Sequence, residues 1–131
     1  MQIAHWMTRS PHTVLPHERL ARAMALMESG HCRRLPVMEN GKMIGILTER
    51  DVRAHLGYLD STQVDAAMTP DPVSITPQTS VEDAARLMIK HKIGGLPVME
   101  NGELVGIIST TDILRAFLSV VEATQQITSD G

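Results

Sequence analysis

The heptapeptide Leu-Pro-Val-Met-Glu-Asn-Gly occupies residues 35–41 and returns unchanged at residues 96–102, 61 positions later. The same offset aligns residues 7–53 with residues 68–114 without a gap. A repeat of this length indicates that one supersecondary unit is present twice, and such a unit usually cannot bury its apolar face alone. We therefore expect the two copies to pack against each other about a pseudo-twofold axis. Clefts between them should then occur as related pairs.

Each copy begins with the sequence signals of a strand followed by a helix. Prolines open the segments at residues 11–14 and 72–75, which we expect to be extended because proline is excluded from helix interiors. Apolar residues then recur at helical spacing; they are Leu20, Ala23, Met24 and Met27 in the first copy and Val81, Ala84, Ala85 and Met88 in the second. Gly30 stands where the first helix should stop. Ser80 and Asp83 have capping-box spacing at the start of the second.

Two strands and another helix complete each copy. Short apolar runs flank Asn40-Gly41 and again Asn101-Gly102, and this pattern predicts a β-hairpin because both residues tolerate positive φ. Helices are expected over residues 49–56 and 110–122. The second of these has an apolar face formed by Ile113, Leu114, Phe117, Leu118 and Val121. Residues 57–63 are typical of a linker, and residues 127–131 are expected to form a frayed tail.

The composition is that of an ordinary soluble domain. The chain has 131 residues and 43% hydrophobic content, enough for one core, although each copy alone would be marginal. The single cysteine, Cys32, excludes an internal disulfide and fits a reducing compartment. No apolar run approaches the roughly 20 residues that span a bilayer, and the N-terminus lacks the regions of a signal peptide. We therefore expect a cytoplasmic protein.

The charge argues against two classes of partner. The net charge of −3 disfavours binding to nucleic acid and to anionic membrane, both of which attract basic surfaces. The 2% aromatic content also leaves few platforms on which the bases of a single strand could stack. The charge is also uneven, since residues 1–61 carry an excess of basic side chains and residues 62–131 an excess of acidic ones. This imbalance reflects either variation on solvated faces or a basic half that meets an acidic half. Across a dimer, the second interpretation favours a head-to-tail arrangement over a head-to-head one.

A hydroxyl residue precedes an aspartate by three positions where the last strand of each copy meets its last helix. The pairs are Thr48 with Asp51 and Ser109 with Asp112, each preceded by a glycine, Gly45 or Gly106, that allows close approach of a ligand or of backbone. One interpretation is a helix cap, because this spacing satisfies free N–H groups at a helix start. The other is a nucleotide site, in which the helix N-terminus and hydroxyl bind phosphate and the carboxylate accepts hydrogen bonds from a ribose diol. Local spacing leaves both open.

Signals for catalysis or metal binding are weaker. The six histidines form no pair at i, i+3 or i, i+4, so a helical zinc site is not expected. The sequence contains no nucleophile elbow, Walker loop or Gly-x-Gly-x-x-Gly fingerprint. Without a recognisable base, nucleophile or metal, we expect no enzyme and no required cofactor.

The complete unit resembles the CBS domain. The resemblance rests on Met-Thr-x-x-Pro, a helix, Leu-Pro-Val with an Asn-Gly turn, and then Gly followed by two apolar residues and Ser/Thr-x-x-Asp, all present twice across about residues 3–122. Two such units in tandem are similar to a CBS pair, or Bateman module. The resemblance implies an α+β fold of two β-α-β-β-α repeats packed about a pseudo-twofold axis. We place repeat 1 at residues 1–61 and repeat 2 at residues 62–131.

In many CBS pairs the two clefts bind adenosine compounds, and the resemblance implies which residues would do so here. The Ser/Thr and Asp of one repeat would hold phosphate and ribose, while the base lies against the other repeat. One site would combine Ser109, Thr111 and Asp112 with His12, Thr13, Arg33 and Arg34. The other would combine Thr48, Arg50 and Asp51 with Val73, Ser74, Gly94 and Gly95. The Gly94-Gly95 pair should leave room beside the base. His31, Lys90, His91 and Lys92 either reach phosphates or are solvated cations at helix ends.

The resemblance leads to a non-catalytic sensor that binds AMP, ADP, ATP or S-adenosylmethionine between its repeats. Binding would alter the packing of repeats or dimer, and an unidentified effector protein would read the change. A homodimer is expected, since members of the family commonly pair into flat discs. The alternative is a structural dimerisation module whose clefts are empty or degenerate.

Overall fold

The computed structural model describes the backbone of residues 1–130 and the side chains of residues 1–127. It is an α+β fold in which each repeat contributes a β-hairpin between helices, as predicted. The elements in chain order are a 3-10 turn Ile3–His5, β1 Thr8–Arg9, α1 Leu20–Gly30, β2 Arg34–Glu39, β3 Lys42–Thr48, α2 Glu49–Arg53, α3 Val64–Ala67, β4 Thr69–Pro70, α4 Val81–His91, β5 Gly95–Glu100, β6 Glu103–Ser109 and α5 Thr110–Asp130.

The repeats exchange their edge strands. One three-stranded antiparallel sheet has the order β1-β6-β5 and the other the order β2-β3-β4, so each hairpin is completed by a short strand from near the start of the other repeat. Thr8 pairs with Ile107, and Ile46 pairs with Thr69. The exchange ties the repeats together through backbone hydrogen bonds.

The first strand, expected at residues 11–14, is therefore wrong in position. The regular strand lies earlier, at β1, and pairs with the other repeat. Within residues 11–14 only Val14 forms a bridge, to Val37 of its own repeat. A left-handed residue separates the two parts: Ser10 has φ 48° in repeat 1 and Asp71 has φ 45° in repeat 2. The chain thus turns between one sheet and the other.

Both predicted hairpins are confirmed. Asn40 and Gly41 have φ of 53° and 76°, and Asn101 and Gly102 have φ of 52° and 79°. Two consecutive residues with positive φ form the tight turn whose twist matches that of the flanking strands. The turn fixes the register that buries Leu35 and Val37 completely.

The core consists of two apolar clusters, and each draws on segments outside one repeat. Ile3 and Met7, from the N-terminus, lie in the cluster built from repeat 2. Val64, near the start of repeat 2, is fully buried in the cluster of repeat 1, and Met68 packs against that cluster. The hairpin and helices of one repeat therefore cannot bury their apolar surface without the other repeat, as the length of the unit indicated.

Gly45 and Gly106 serve backbone approach rather than ligand approach. A Cβ atom at Gly45 would stand 2.9 Å from the carbonyl oxygen of Thr69, and one at Gly106 would stand 2.8 Å from that of Thr8. Both oxygens belong to the exchanged edge strands. The glycines therefore allow the strand exchange.

Helices α1, α2 and α4 follow the predicted pattern but differ from it at two ends. Gly30 is the last residue of α1, whereas the left-handed cap is His31, with φ 51°. Ser80 caps α4 as predicted, accepting a hydrogen bond from Asp83 N at 3.0 Å. Helix α2 ends at Arg53 rather than at residue 56.

Helix α5 departs most from expectation. It continues to Asp130, so the expected tail is helical there, while Gly131 lies outside the described residues. Its apolar face is largely uncovered: Leu114, Phe117 and Leu118 are more than half exposed. Ala116 and the half-buried Ile113 make its core contacts instead. The 3.6-residue period identified the helix but not what covers it.

Candidate ligand-binding clefts

Two cavities of similar size lie between the repeats. Cleft 1, of about 680 Å³, is lined by the start of α5 together with residues 8–12 and 30–34. Cleft 2, of about 630 Å³, is lined by the start of α2 together with residues 72–73 and 91–95. Both volumes fall in the range of small-molecule sites.

The structure brings together most of the residues predicted for each cleft. Cleft 1 contains Ser109, Thr111, Asp112, His12, Arg33 and Arg34, and cleft 2 contains Thr48, Arg50, Asp51, Val73, Gly94 and Gly95. Thr13 and Ser74 line neither of these cavities. Successive side chains of an extended segment point to opposite sides, so a segment that presents His12 or Val73 turns the following residue away.

In cleft 1, Asp112 is almost completely buried, with 4% exposure. Its Oδ2 accepts hydrogen bonds from Ser109 N at 2.8 Å and from Ser109 Oγ at 2.9 Å. Its Oδ1 accepts a longer bond, of 3.3 Å, from Arg115. The carboxylate is thus held rigidly at the start of α5.

In cleft 2, Asp51 and Thr48 form a reciprocal capping box. Thr48 N donates to Asp51 Oδ2 at 2.8 Å, and Asp51 N donates to Thr48 Oγ1 at 3.2 Å. Among the described residues, no hydrogen-bond donor reaches Asp51 Oδ1. The cap and a ligand role are therefore compatible, because one oxygen closes the helix and the other remains available.

The two adjacent arginines differ in their surroundings. Arg33 is highly exposed and pairs with Glu49, with Nε 3.6 Å from Oε2. Arg34 is half-buried; burial, with a smaller contribution from the neighbouring Arg33 charge, lowers the pKa of its guanidinium. Among the described residues, no carboxylate lies within ion-pair distance of Arg34.

We expected Arg33 and Arg34 in cleft 1 and the Gly94-Gly95 pair in cleft 2. The structure separates them only in part, because Arg33, Arg34 and Gly94 line both cavities. The side chain of Arg34 lies across the glycine pair. A Cβ at Gly94 would overlap Arg34 Nη2, and one at Gly95 would stand 2.7 Å from Arg34 Cδ. The room expected beside Gly94-Gly95 is thus partly filled by Arg34.

Several lining residues were absent from the prediction. Thr8, Arg9 and Cys32 line cleft 1, and Thr69 and Ile93 line cleft 2. The strand exchange brings Thr8 and Thr69 to these positions, and no local pattern signals it. Burial raises the pKa of the Cys32 thiol, which favours the unreactive neutral form.

The histidine and lysine side chains near the helix ends divide between the clefts. His31 lines cleft 1, and His91 and Lys92 line cleft 2, whereas Lys90 lines neither. Within the described residues, no three histidine, cysteine or acidic side chains are grouped as metal ligands would be. No helix in that part of the chain has the length and apolar character needed to cross a bilayer.

The arrangement matches a known sequence family in both halves. The profile of the CBS domain covers residues 3–58 and 63–119. The chain belongs to the CBS-domain family. It is a CBS pair, and its two matches correspond to the two repeats that form the clefts.

Three relatives match this CBS pair over most of their own length. The CBS domain-containing protein YhcV of Bacillus subtilis is 36% identical over 110 residues, which cover 82% of this chain and 79% of YhcV. The crystal structure of AcuB from Vibrio cholerae is 34% identical, covers 96% of each chain and superposes with a TM-score of 0.83. CBSX2 of Arabidopsis thaliana, solved in complex with AMP, is 27% identical, with a TM-score of 0.81 over 91% of this chain and 97% of CBSX2.

Proposed function

We propose that this CBS pair is a non-catalytic regulatory module that binds an adenosine compound in the clefts between its repeats. AMP, ADP, ATP and S-adenosylmethionine are the candidate ligands. The AMP complex of CBSX2, which shares the fold over nearly its whole length, supports an adenosine ligand for this chain.

The observation that carries the proposal is the composition of each cleft. A hydroxyl–aspartate pair from one repeat faces residues of the other repeat across an open cavity. A carboxylate accepts both hydrogens of a ribose diol, and the N-terminus of the long helix α5 favours a phosphate at cleft 1. Such a ligand would contact both repeats at once.

The clefts differ in their basic groups, so we expect unequal affinities. Cleft 1 offers His12 and His31, and Arg9 lies at its wall. Cleft 2 offers Arg50, His91 and Lys92 beside the apolar Val73. Arginine suits phosphate through paired charged hydrogen bonds, whereas lysine acts as a point charge. The repeated architecture supports two related sites, and its mismatches determine their preferences.

Signalling would follow from a shift in the packing of the repeats. A ligand that binds one arrangement better than another shifts the population by its difference in affinity. The exchanged strands β1 and β4 link each cleft to the sheet of the other repeat. A change in either cleft therefore reaches both halves of the molecule and any effector protein bound to them.

We also propose that the functional unit is a homodimer. The exposed apolar residues of α5, namely Leu114, Phe117, Leu118 and Val120, form a face that is costly to leave in water. Tyr58 and Leu56, in the corresponding region of repeat 1, are exposed as well. A second copy of the chain would bury both regions.

Calorimetric titration with AMP, ATP and S-adenosylmethionine tests the ligand proposal. Wild type should bind at least one of them, and Asp51→Ala and Asp112→Ala should each weaken or abolish binding at one cleft. Asp83→Ala is the matched control, because Asp83 also stands three residues after a capping hydroxyl but lies outside both clefts. Equal affinity in wild type and both cleft variants would refute the ribose role.

A structural dimerisation module is the second candidate, favoured by the uncovered face of α5. Thermal denaturation separates the candidates, because a ligand at 100 times its dissociation constant adds about 2.7 kcal/mol of stability. No shift with any of the three ligands would favour the structural role. A clear shift would favour the sensor.

A further inference from the structure

Arg34 occupies a special position relative to the repeat. Its counterpart 61 residues later is Gly95, and the two residues touch, since a Cβ at Gly95 would stand 2.7 Å from Arg34 Cδ and 2.9 Å from Arg34 Nε. A residue that contacts its own counterpart lies at the pseudo-twofold axis. Two large side chains could not both occupy this space, so the glycine is the necessary complement of the arginine.

This position places one guanidinium at the wall of both clefts. Arg34 Nη2 lies against Gly94, which itself lines both cavities. Thr110, at the start of α5, is on the same side, because Thr110 N donates to Gly94 O at 3.0 Å. The guanidinium is therefore near the hydroxyl–aspartate end of cleft 1 and beside the glycine wall of cleft 2.

The charge of Arg34 is unmatched in this setting. Arg33 pairs with Glu49, and Arg115 pairs with Asp112, but no described carboxylate pairs with Arg34. A half-buried guanidinium without a partner gains most from an anion that supplies paired charged hydrogen bonds. A phosphate in either cleft would provide that anion.

We infer that Arg34 is a single anion-binding group shared by the two clefts, so that a phosphate-bearing ligand in one cleft weakens the binding of phosphate in the other. The inference rests on the proposed function and specifies its regulation. The coupling is reciprocal by thermodynamic necessity. Ligands without phosphate, such as adenosine, escape it.

The size of the coupling follows from the interaction that is shared. A hydrogen bond to a charged group contributes about a tenfold factor in affinity or more. The second AMP should therefore bind about tenfold more weakly than it would if the other cleft were disabled. Intrinsic differences between the clefts cannot produce this effect, because they do not depend on occupancy.

Titration with AMP, followed by amide NMR signals, measures the coupling. The amide signal of Thr48 reports binding in cleft 2, and that of Ser109 reports binding in cleft 1. The titration is repeated with Asp51→Asn, which disables cleft 2, and with Asp112→Asn, which disables cleft 1. In wild type, the weaker cleft should be half-saturated at an AMP concentration about tenfold higher than in the variant in which the other cleft is disabled. Replacing the guanidinium by Arg34→Met should remove that difference and weaken the first binding step.

Two comparisons keep the result interpretable if an aspartate variant fails to fold. The ratio of the two stepwise constants for AMP should fall in Arg34→Met but not in Arg22→Met, which removes an exposed arginine paired with Glu18. When wild type is titrated with adenosine, the ratio of the two stepwise constants should be as small as the ratio that Arg34→Met gives with AMP. A ratio for AMP that is unchanged by Arg34→Met would overturn the inference.

Inorganic pyrophosphate separates failure of this inference from failure of the proposed function. If AMP binds and the clefts titrate independently, Arg34 is not shared, while the ligand proposal stands. If neither AMP, ATP nor S-adenosylmethionine binds but pyrophosphate perturbs both reporters in an Arg34-dependent way, the adenosine ligand is wrong and the shared anion site stands. If none of these ligands and no pyrophosphate binds, both proposals are wrong.

Discussion

The imidazole of His12 lies directly against Gly30, so that a Cβ at position 30 would stand 2.7 Å from His12 Cδ2. In the second repeat the corresponding positions hold Val73 and His91. Cleft 1 thus takes one of its two imidazoles, that of His12, from the extended segment, whereas the imidazole of cleft 2 comes from the end of a helix. The missing side chain at residue 30 makes room for the first arrangement.

Gly30→Ala should alter cleft 1 selectively. The new methyl group displaces the exposed ring of His12, while the helix gains less than the roughly 0.5–1 kcal/mol that alanine contributes in a helix interior, because residue 30 is the last of α1. We expect unchanged or higher stability together with a changed AMP affinity at cleft 1, measured by denaturation and by NMR titration. An equal change in the midpoint of cleft 2 would contradict this account.

Asp112→Ala should destabilise the protein more than Asp51→Ala does. Asp112 is nearly buried and accepts hydrogen bonds from Ser109 N, Ser109 Oγ and Arg115, whereas Asp51 accepts from Thr48 N. The free energy of unfolding should fall by about 1–3 kcal/mol in Asp112→Ala and by about 1 kcal/mol in Asp51→Ala. Urea denaturation measures both.

Asp83→Ala provides the control for these aspartates. Asp83 is exposed and pairs with Arg86 across one helical turn, so its replacement should cost less than about 0.5 kcal/mol. The expected order is refuted if Asp83→Ala costs as much as Asp112→Ala.

Gly45→Ala and Gly106→Ala should each destabilise the strand exchange by about 1–3 kcal/mol, as overpacking does. The added methyl groups meet backbone carbonyl oxygens, which cannot move without breaking β3·β4 or β1·β6 pairing. Gly94→Ala is the comparison, because its methyl group meets the flexible end of Arg34. Equal losses of unfolding free energy in all three variants would contradict this explanation.

The Cys32 thiol should react slowly in the folded protein. Burial raises its pKa, so less thiolate is present than in a free thiol of pKa about 8.5. Because the folded state holds this proton more tightly, its contribution to stability is complete below the ordinary pKa and is lost as pH rises through the raised value. Iodoacetamide at pH 8.5 should modify folded protein more slowly than urea-unfolded protein; an equal or faster rate would contradict the burial.

Phe117→Glu should convert the proposed dimer to monomer. A charge in the middle of the α5 face opposes its burial against a second copy. Sedimentation equilibrium should give twice the mass of 14.4 kDa for wild type and that single mass for the variant. Exposed Glu122→Gln on the same helix is the control, and a monomeric wild type would refute the dimer.

Local patterns were sufficient to predict much of the fold. The Asn-Gly turns, the helical stripes and the Ser80 cap each depend on neighbouring residues, and the structure contains all of them. The length of the repeat also indicated correctly that neither half would complete its core alone, since each apolar cluster includes residues from the other repeat. These features follow from short-range physics, so a single sequence contains them.

Long-range features were not predictable in the same way. Strands β1 and β4 are two residues long and gain their structure from a partner in the other repeat. Comparison of the repeats assigned Arg34 to one cleft and Gly95 to the other. It did not show that the two residues touch, as counterparts at a pseudo-twofold axis do. Apolar spacing in α5 likewise could not show that its face is uncovered.

A crystal structure of the protein grown with saturating AMP tests the central proposal most directly. We predict adenosine in at least one cleft, with the ribose hydroxyls donating to Asp51 or Asp112 and the phosphate near Arg34. Clefts free of ligand in that crystal and in matching crystals grown with ATP and with S-adenosylmethionine, or ligand bound only at a surface outside the clefts, would contradict the account.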